Sequence, residues 1–289
     1  MKYISLADLS QTIRNNIWKI PHDIDFIIGV PRSGMIVASI LSDYLNCPLI
    51  DINSFLAGLE PSGGGRLEFF KNGHKKSNKV LVIDDTVWRG ASIKKVKEKL
   101  KSYTDLTFIY GCAYLEGPAP ENTVDFYLED LRQHTNGFSQ FCLYEWNILQ
   151  HHPFFMKKCA YDIDGVFCID PPDERNEPEY LEYIKHAPAL FIPTSKIGAI
   201  VTYRLIKNKD ITEKWLEENG VKYNKLVMFN ANSWEERNNS GISPELYKAT
   251  FYKQNSYMLF VESSDYQAKR IFEMTGKPVY SIEGNKLYQ

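Results

Sequence analysis

The 289-residue sequence lacks several features that would narrow its class at once. Cysteine is scarce: Cys47, Cys112, Cys142, Cys159 and Cys168 are odd in number, scattered and never in CxxC spacing. That pattern disfavours both a disulfide framework and a zinc site. No stretch approaches the roughly 18 uninterrupted apolar residues of a membrane span. The opening MKYISLADLSQ has no apolar core followed by a small-residue cleavage site. An excess of one charge is missing too: 34 basic and 36 acidic side chains leave a formal net charge of −2, with no overall footprint for DNA or RNA. There are no internal repeats and no long low-complexity tracts. The expectation is a cytoplasmic globular protein with no nucleic-acid partner and no membrane span. Its 44% hydrophobic residues suffice for an ample core. An oligomer is left open.

What the sequence does contain is a repeated alternation. In the first half the runs FIIGV (26–30), PLIDI (48–52), KVLVIDD (79–85), LTFIYG (106–111) and VDFYLE (124–129) alternate with helical stretches such as MIVASILSDYL and SIKKVKEKLKSY. Continuous apolar runs of this length suit strands buried on both faces of a parallel sheet, with crossover helices between them, so the fold class is α/β. A second alternation begins near residue 159 with CAYDIDGVF, followed by IGAIVT, KLVMFN, YMLFVE and KPVYSI. With QHHPFFMKK as the junction, the reading is two Rossmann-like parallel-sheet domains, 1–150 and 151–289. His151 and His152 in the junction have no evident third partner and read as exposed linker histidines. Tyr144, Glu145 and Trp146 just before it read as packing rather than as an acceptor platform.

The sharpest signal of the first half is VLVIDDTVWRGAS, residues 80–92. A hydrophobic strand delivers Asp84 and Asp85 to its carboxyl end, where open α/β sheets place ligands. A turn with Gly90 follows, and Ser92 opens a helix whose backbone N–H groups suit a phosphate. Phosphate donors beside carboxylates that accept from vicinal hydroxyls describe a pentose 5-phosphate. In IIGVPRSGMIVA, Arg32, Ser33 and Gly34 form a second strand-to-helix turn, and the glycine-rich segment between the two reads as a mobile loop. Taken singly, the acidic pair is a capping pair and the RSG only a turn. Together and in order, they resemble the type I phosphoribosyltransferases, whose phosphoribosyl diphosphate (PRPP) signature sets two acids before a T-x-x-T-G-x-T-like loop. The resemblance covers roughly residues 20–130. It implies PRPP as donor, Asp84 and Asp85 on the ribose 2- and 3-hydroxyls, and Thr86, Arg89, Gly90, Ala91 and Ser92 as the 5-phosphate loop. Arg32, Ser33 and Gly34 become the diphosphate loop. Arg89 departs from the family, which has Thr or Ser there. Segment 61–78 resembles the family's flexible loop, which would keep water from the oxocarbenium-like centre. Arg66, Lys71 or His74 could reach the diphosphate from it, and none is singled out.

In the second half, CAYDIDGVF puts Asp162 and Asp164 at a strand end, on one face by alternation. One can attack phosphorus while the other protonates the leaving oxygen and later activates water. Magnesium would relieve their repulsion. A calcium-type loop is the plain alternative, but VFCI is apolar where further acids would be needed. D-x-D-G-V resembles motif I of the haloacid dehalogenase-like (HAD) phosphatases. Thr202, read as the end of the strand AIVT, matches the motif II hydroxyl, with Arg204 just beyond. Lys248 in ELYKATFYK matches the motif III lysine, with Lys253 in reserve. Glu262 matches the motif IV acid. The resemblance implies Asp162, Asp164, Thr202 and Lys248 as catalytic groups, with Mg2+ on Asp162, Asp164 and Glu262. The family commonly pairs its motif IV acids, whereas here Asp265 stands three residues on, as an outer ligand or as the first charge of a helix.

Together the two resemblances imply a bifunctional enzyme that transfers 5-phosphoribose from PRPP to an acceptor and then hydrolyses the 5-phosphate. Asp164 and Thr202 are 38 residues apart, and Thr202 and Lys248 are 46 apart. Neither interval holds a large folded cap, since domains start near about 50 residues. A phosphatase with a minimal cap admits a bulky substrate. The expected acceptor is a glycan or lipid-linked sugar, by similarity to two-step ribofuranose installation in bacterial surface polysaccharides, or else a small molecule. The rivals are a nucleobase phosphoribosyltransferase joined to a nucleotide phosphatase, and a PRPP-sensing regulator.

Overall fold

The computed structural model describes residues 1–65, 77–132, 142–175 and 177–289. They form two compact units, Lys2–Trp146 and Asn147–Gln289, the second also holding Met1. Among the described residues no helix is long and apolar enough to cross a membrane.

The first unit runs β1 (Lys2–Ile4), α1 (Leu6–Asn16), β2 (Phe26–Gly29), α2 (Gly34–Leu45), β3 (Leu49–Asp51), β4 (Lys79–Val87), α3 (Ala91–Leu100), β5 (Thr107–Leu115), β6 (Phe126–Asp130) and β7 (Cys142–Tyr144). Five strands in the order β3-β2-β4-β5-β6 make an all-parallel sheet. Its central strand explains the unbroken apolar run at 80–83. Leu81 and Ile83 join a core with Val37 and Leu41 of α2, while Val80 and Val82 join another with Ile93 and Val96 of α3. Both faces are covered, so no polar alternation is expected. The parallel pair β1–β7 has no counterpart in the sequence reading, because three-residue runs carry too little pattern to register.

The second unit contains β8 (Cys159–Tyr161), α4 (Glu177–His186), β9 (Ile197–Leu205), α5 (Lys209–Glu218), β10 (Tyr223–Phe229), α6 (Pro244–Gln254), β11 (Leu259–Glu262), α7 (Asp265–Thr275), β12 (Val279–Ser281) and β13 (Lys286–Tyr288). The sheet order is β10-β9-β8-β11-β12-β13, parallel except for the antiparallel β12–β13 edge. The last strand adds an antiparallel edge to the expected parallel sheet, because the short turn at 282–285 suffices for a hairpin but not for a crossover. A core of Ala160, Val201, Phe260, Ala249 and Ile271 seats α6 and α7 on one face. Ser243 and Ser264 start these two helices by accepting from Leu246 N and Gln267 N.

Candidate functional site

In the first unit the chain leaves β2 for β3 on one side and returns to β4 on the other. The helices that follow β2 and β4 cover opposite faces, and this reversal opens a crevice at the strands' carboxyl ends. Pairing of β2 with β4 stops at Gly29↔Ile83, whereas β4 continues beside β5 to Val87↔Leu115. Asp84 and Asp85 therefore project beyond the end of β2. The turn after β2 contains a cis Pro31–Arg32 peptide, an exposed Arg32, and Ser33, whose hydroxyl makes no capping bond. Gly34 then opens α2 directly against the acidic pair. A Cβ at Gly34 would stand 2.8 Å from Ile83 O and 3.0 Å from Asp84 Cα, so a side chain there would force the turn away. Two motifs fifty residues apart in sequence are thus in contact.

Asp84 and Asp85 are each only 7% exposed. Burial, reinforced by the neighbouring Asp85, pushes the Asp84 carboxyl up to about 8. Asp85 accepts from the Trp146 indole at 2.7 Å, so Trp146, read from sequence as packing, belongs to this cluster. Its only sequence signal was proximity to the end of the first alternation. Thr86 corrects another expectation. It lies within β4, paired with Tyr114, because the ladder to β5 outlasts the acidic pair. The turn itself is Trp88–Gly90, with Gly90 in left-handed backbone (φ +74°) before α3. Arg89, Ala91 and Ser92 are exposed at that helix start. Arg66, Lys71 and His74 lie outside the described residues. The described ends of the segment are tied down, Ser62 by paired backbone bonds to Leu49 and Ser77 and Asn78 by the Asp25 carboxylate.

The second unit repeats the geometry. From β8 the chain steps to β9 and β10 on one side, then crosses to β11 on the other. Asp162 directly follows β8 and donates its backbone N–H to Val261 O at 2.9 Å. Glu262 ends β11 and is wholly buried. Lys248, from α6 and 2% exposed, joins the two: its Nζ donates to Asp162 Oδ2 at 2.6 Å, Glu262 Oε2 at 2.9 Å and Gln267 Oε1 at 3.0 Å. Lys253 instead donates to Met274 O at 3.5 Å. Gly165, at φ +68°, lets the loop after Asp164 lie against Ser263, where a methyl group would collide.

Asp162, Asp164, Asp170, Thr202, Arg204 and Lys248 all line one cavity of about 380 Å³, while Glu262 does not. Thr202 is not a strand end, since β9 runs on to Leu205. It still reaches the cavity because β8 pairs with β9 only as far as Tyr161↔Ile200. Arg204 grips Asp164, with Nε–Oδ2 at 3.0 Å and Nη2–Oδ1 at 2.5 Å, and Tyr183 also donates to Asp164. Burial alone would raise the Asp164 carboxyl, yet Arg204 and Tyr183 hold it below the ordinary carboxylate range. The Asp162 carboxyl moves the other way, up to about 8, because burial, Glu262 and Asp164 outweigh Lys248. Lys248 itself is raised, its two carboxylate partners overcoming burial.

The expected magnesium set of Asp162, Asp164 and Glu262 is not gathered as a cluster. Among the described residues no three such side chains are arranged to hold a metal. The reason is local: Lys248 bridges Asp162 and Glu262, and Arg204 turns Asp164 toward itself. The donor chemistry nevertheless suits a hard divalent cation. Asp162, Asp164, Asp170 and Glu262 outnumber Lys248 and Arg204, and the Asp170 carboxyl is raised by burial and by the charges of Asp164 and Glu262. Asp170 was not picked out from sequence. Asp265 plays no part here, bonding Lys286 and Tyr288 at the start of α7.

Residues 3–146 match the family model of the phosphoribosyl transferase domain. Similar solved structures include a purine phosphoribosyltransferase from Pyrococcus horikoshii (22% identity, 50% of this chain and 92% of that one, TM-score 0.35). An orotate phosphoribosyltransferase from Aeropyrum pernix is 20% identical over 45% of this chain and 72% of that one, at TM-score 0.34. A xanthine-guanine-hypoxanthine phosphoribosyltransferase from Helicobacter pylori is 18% identical over 51% and 93%, at TM-score 0.35. No curated protein matches the chain. The stretch that brings Gly34 against Asp84 and Asp85 lies within the residues that match the phosphoribosyl transferase domain.

Proposed function

We propose that the chain transfers 5-phosphoribose from PRPP to a glycan or lipid-linked sugar hydroxyl and then removes the 5-phosphate, leaving a ribofuranosyl group. In the first step the acceptor oxygen bonds to C1, the C1–O bond to diphosphate breaks, and the acceptor proton passes to solvent or to the departing diphosphate. Asp84 and Asp85 accept from the ribose hydroxyls, and the starts of α2 and α3 take the two phosphate ends. In the second step Asp162 attacks phosphorus, the P–O5 bond breaks, and Asp164 protonates O5. Asp164 then takes a proton from the water that releases inorganic phosphate from Asp162. Thr202 and Lys248 hold the phosphoryl oxygens.

The observation that carries the phosphatase half is the convergence of Asp162 and Asp164 from the loop after β8, Thr202 from β9 and Lys248 from α6 on one cavity. Burial, Glu262 and Asp164 raise the Asp162 carboxyl while Arg204 and Tyr183 lower that of Asp164, the reverse of the order attack requires. A phosphate dianion beside Asp164 raises that carboxyl, and a cation beside Asp162 lowers the other, so binding inverts the order. Magnesium beside Asp162 would supply that positive charge and screen the phosphoryl oxygens.

The test is incubation of the protein with PRPP, magnesium and candidate acceptors while diphosphate and inorganic phosphate are tracked. Sugar-acceptor-dependent release of both is expected, with chelation suppressing the phosphate. Stimulation by nucleobases alone would sink the sugar acceptor, and no release under any condition would leave a PRPP-binding regulator.

A further inference from the structure

Beside the candidate phosphatase cavity lies a second chamber of about 340 Å³, bordered by Tyr203, Trp234, Arg237, Asn238, Ile242 and Ser243. Tyr203, Trp234, Arg237 and Pro244 stand in the walls of both spaces, so the two meet along one side. That shared wall is held from several directions. Arg237 is 5% exposed, donates from Nη1 to Tyr203 O at 2.7 Å and pairs through Nη2 with Glu174. Its guanidinium lies 4.3 Å from the Tyr203 ring centroid, and the Tyr203 hydroxyl donates to Ile242 O. The Tyr203 ring packs edge-on against Phe229 with centroids 4.9 Å apart. Ser233 caps the short helix Trp234–Asn239 by accepting from Glu236 N, which fixes the half-buried Trp234 at its start.

The chemistry of this wall is specific. Trp234, Tyr203, Ile242 and Pro244 offer apolar surface, Asn238 and Ser243 offer neutral hydrogen-bonding groups, and Glu174 meets the charge of Arg237. Among the described residues that border the chamber, Arg237 is the one charged side chain, and Glu174 pairs with it. A complementary ligand is neutral, with an apolar face to lie on an aromatic ring and hydroxyls at its rim. A hexose ring has both.

We infer that this chamber receives the sugar to which the phosphorylated ribose is attached, stacked on Trp234 with hydroxyls on Asn238 and Ser243, while the phosphate enters among Asp162, Thr202 and Lys248. The inference rests on the phosphomonoesterase reading above and adds the class of leaving group that the site selects. Trp234 is a specificity-determining residue.

The test compares hydrolysis of three esters by the full-length protein: ribose 5-phosphate, adenosine 5′-monophosphate and a 5-phosphoribofuranosyl hexoside. The hexoside is expected to have a kcat/KM at least about tenfold above the others. Trp234→Ala should shrink the hexoside-to-ribose 5-phosphate ratio by at least about tenfold, chiefly through KM, and Trp234→Phe should keep most of it. Preference for the nucleotide would overturn the sugar assignment, and an unchanged ratio in Trp234→Ala would overturn the chamber. Calorimetry with the phosphate-free ribofuranosyl hexoside needs no turnover. Binding to the wild type and to Asp162→Asn, lost in Trp234→Ala, is expected. If no ester is hydrolysed but the neutral hexoside binds in this pattern, the phosphatase reading fails and the chamber stands. If phosphate is released but the neutral hexoside does not bind, the chamber fails.

Discussion

At the level of single residues, both candidate sites store charge in places that water hardly reaches. The Asp84 carboxyl, ordinarily near 3.8, is raised to about 8 by burial and by Asp85. The folded state therefore holds this proton more tightly than the unfolded chain does. The resulting contribution to stability is complete below about pH 4 and is lost as pH climbs through about 8. Asp84→Asn keeps a neutral side chain throughout, so its melting temperature should decline less than that of wild type between pH 5 and 8. Parallel melting curves across that range would contradict the assignment. Lys248 presents the opposite case, a buried cation with two buried carboxylate partners. Lys248→Met should destabilise the protein by about 3–5 kcal/mol, because it strands Asp162 and Glu262 without a counter-charge. Denaturant titration gives the figure, and adding Asp162→Asn to that variant should recover part of the loss.

At the level of elements, what matters is where neighbouring strands stop pairing. β2 ends beside Ile83 while β4 continues, and β8 stops beside Ile200 while β9 continues, so side chains beyond each gap are left to line a space. The turns that follow must come close, and glycine permits it. Gly165 and Gly276 both have left-handed backbone, at φ +68° and φ +63°, but only Gly165 has neighbours that a methyl would strike. Gly276→Ala should cost about 1–2 kcal/mol, the backbone penalty alone. Gly165→Ala should cost more and also lower phosphate release while sparing diphosphate release. Equal thermal shifts in the two variants would show that the loop after Asp164 is free to give way.

At the level of the whole molecule, the two proposed steps fall in separate units and should separate by mutation. Asp162→Asn should abolish phosphate release and preserve transfer of phosphoribose. Asp84→Asn with Asp85→Asn should block transfer while a supplied phosphoribosylated sugar is still dephosphorylated. Chromatography of the products decides, and loss of both steps from either change would defeat the separation. The α/β class was readable in the chain itself, because strands covered on both faces must be apolar throughout, as at 80–83. So was the position of acids near the carboxyl ends of these strands, since Asp84 and Asp85 interrupt the apolar run within β4 and Asp162 directly follows β8. Partnerships across the sheet were not readable: the indole of Trp146 on Asp85, Arg204 on Asp164, Asp170 in the cavity, and the Tyr203–Arg237–Glu174 wall. Local periodicity reports which face of an element is buried, whereas strand order and crossover direction decide which distant side chains share that burial. Sequence alone therefore determined the kind of elements and the carboxylates at their ends. Only the tertiary structure determined which cation each carboxylate meets, because charge pairing acts through space over a few ångströms and is blind to separation along the chain.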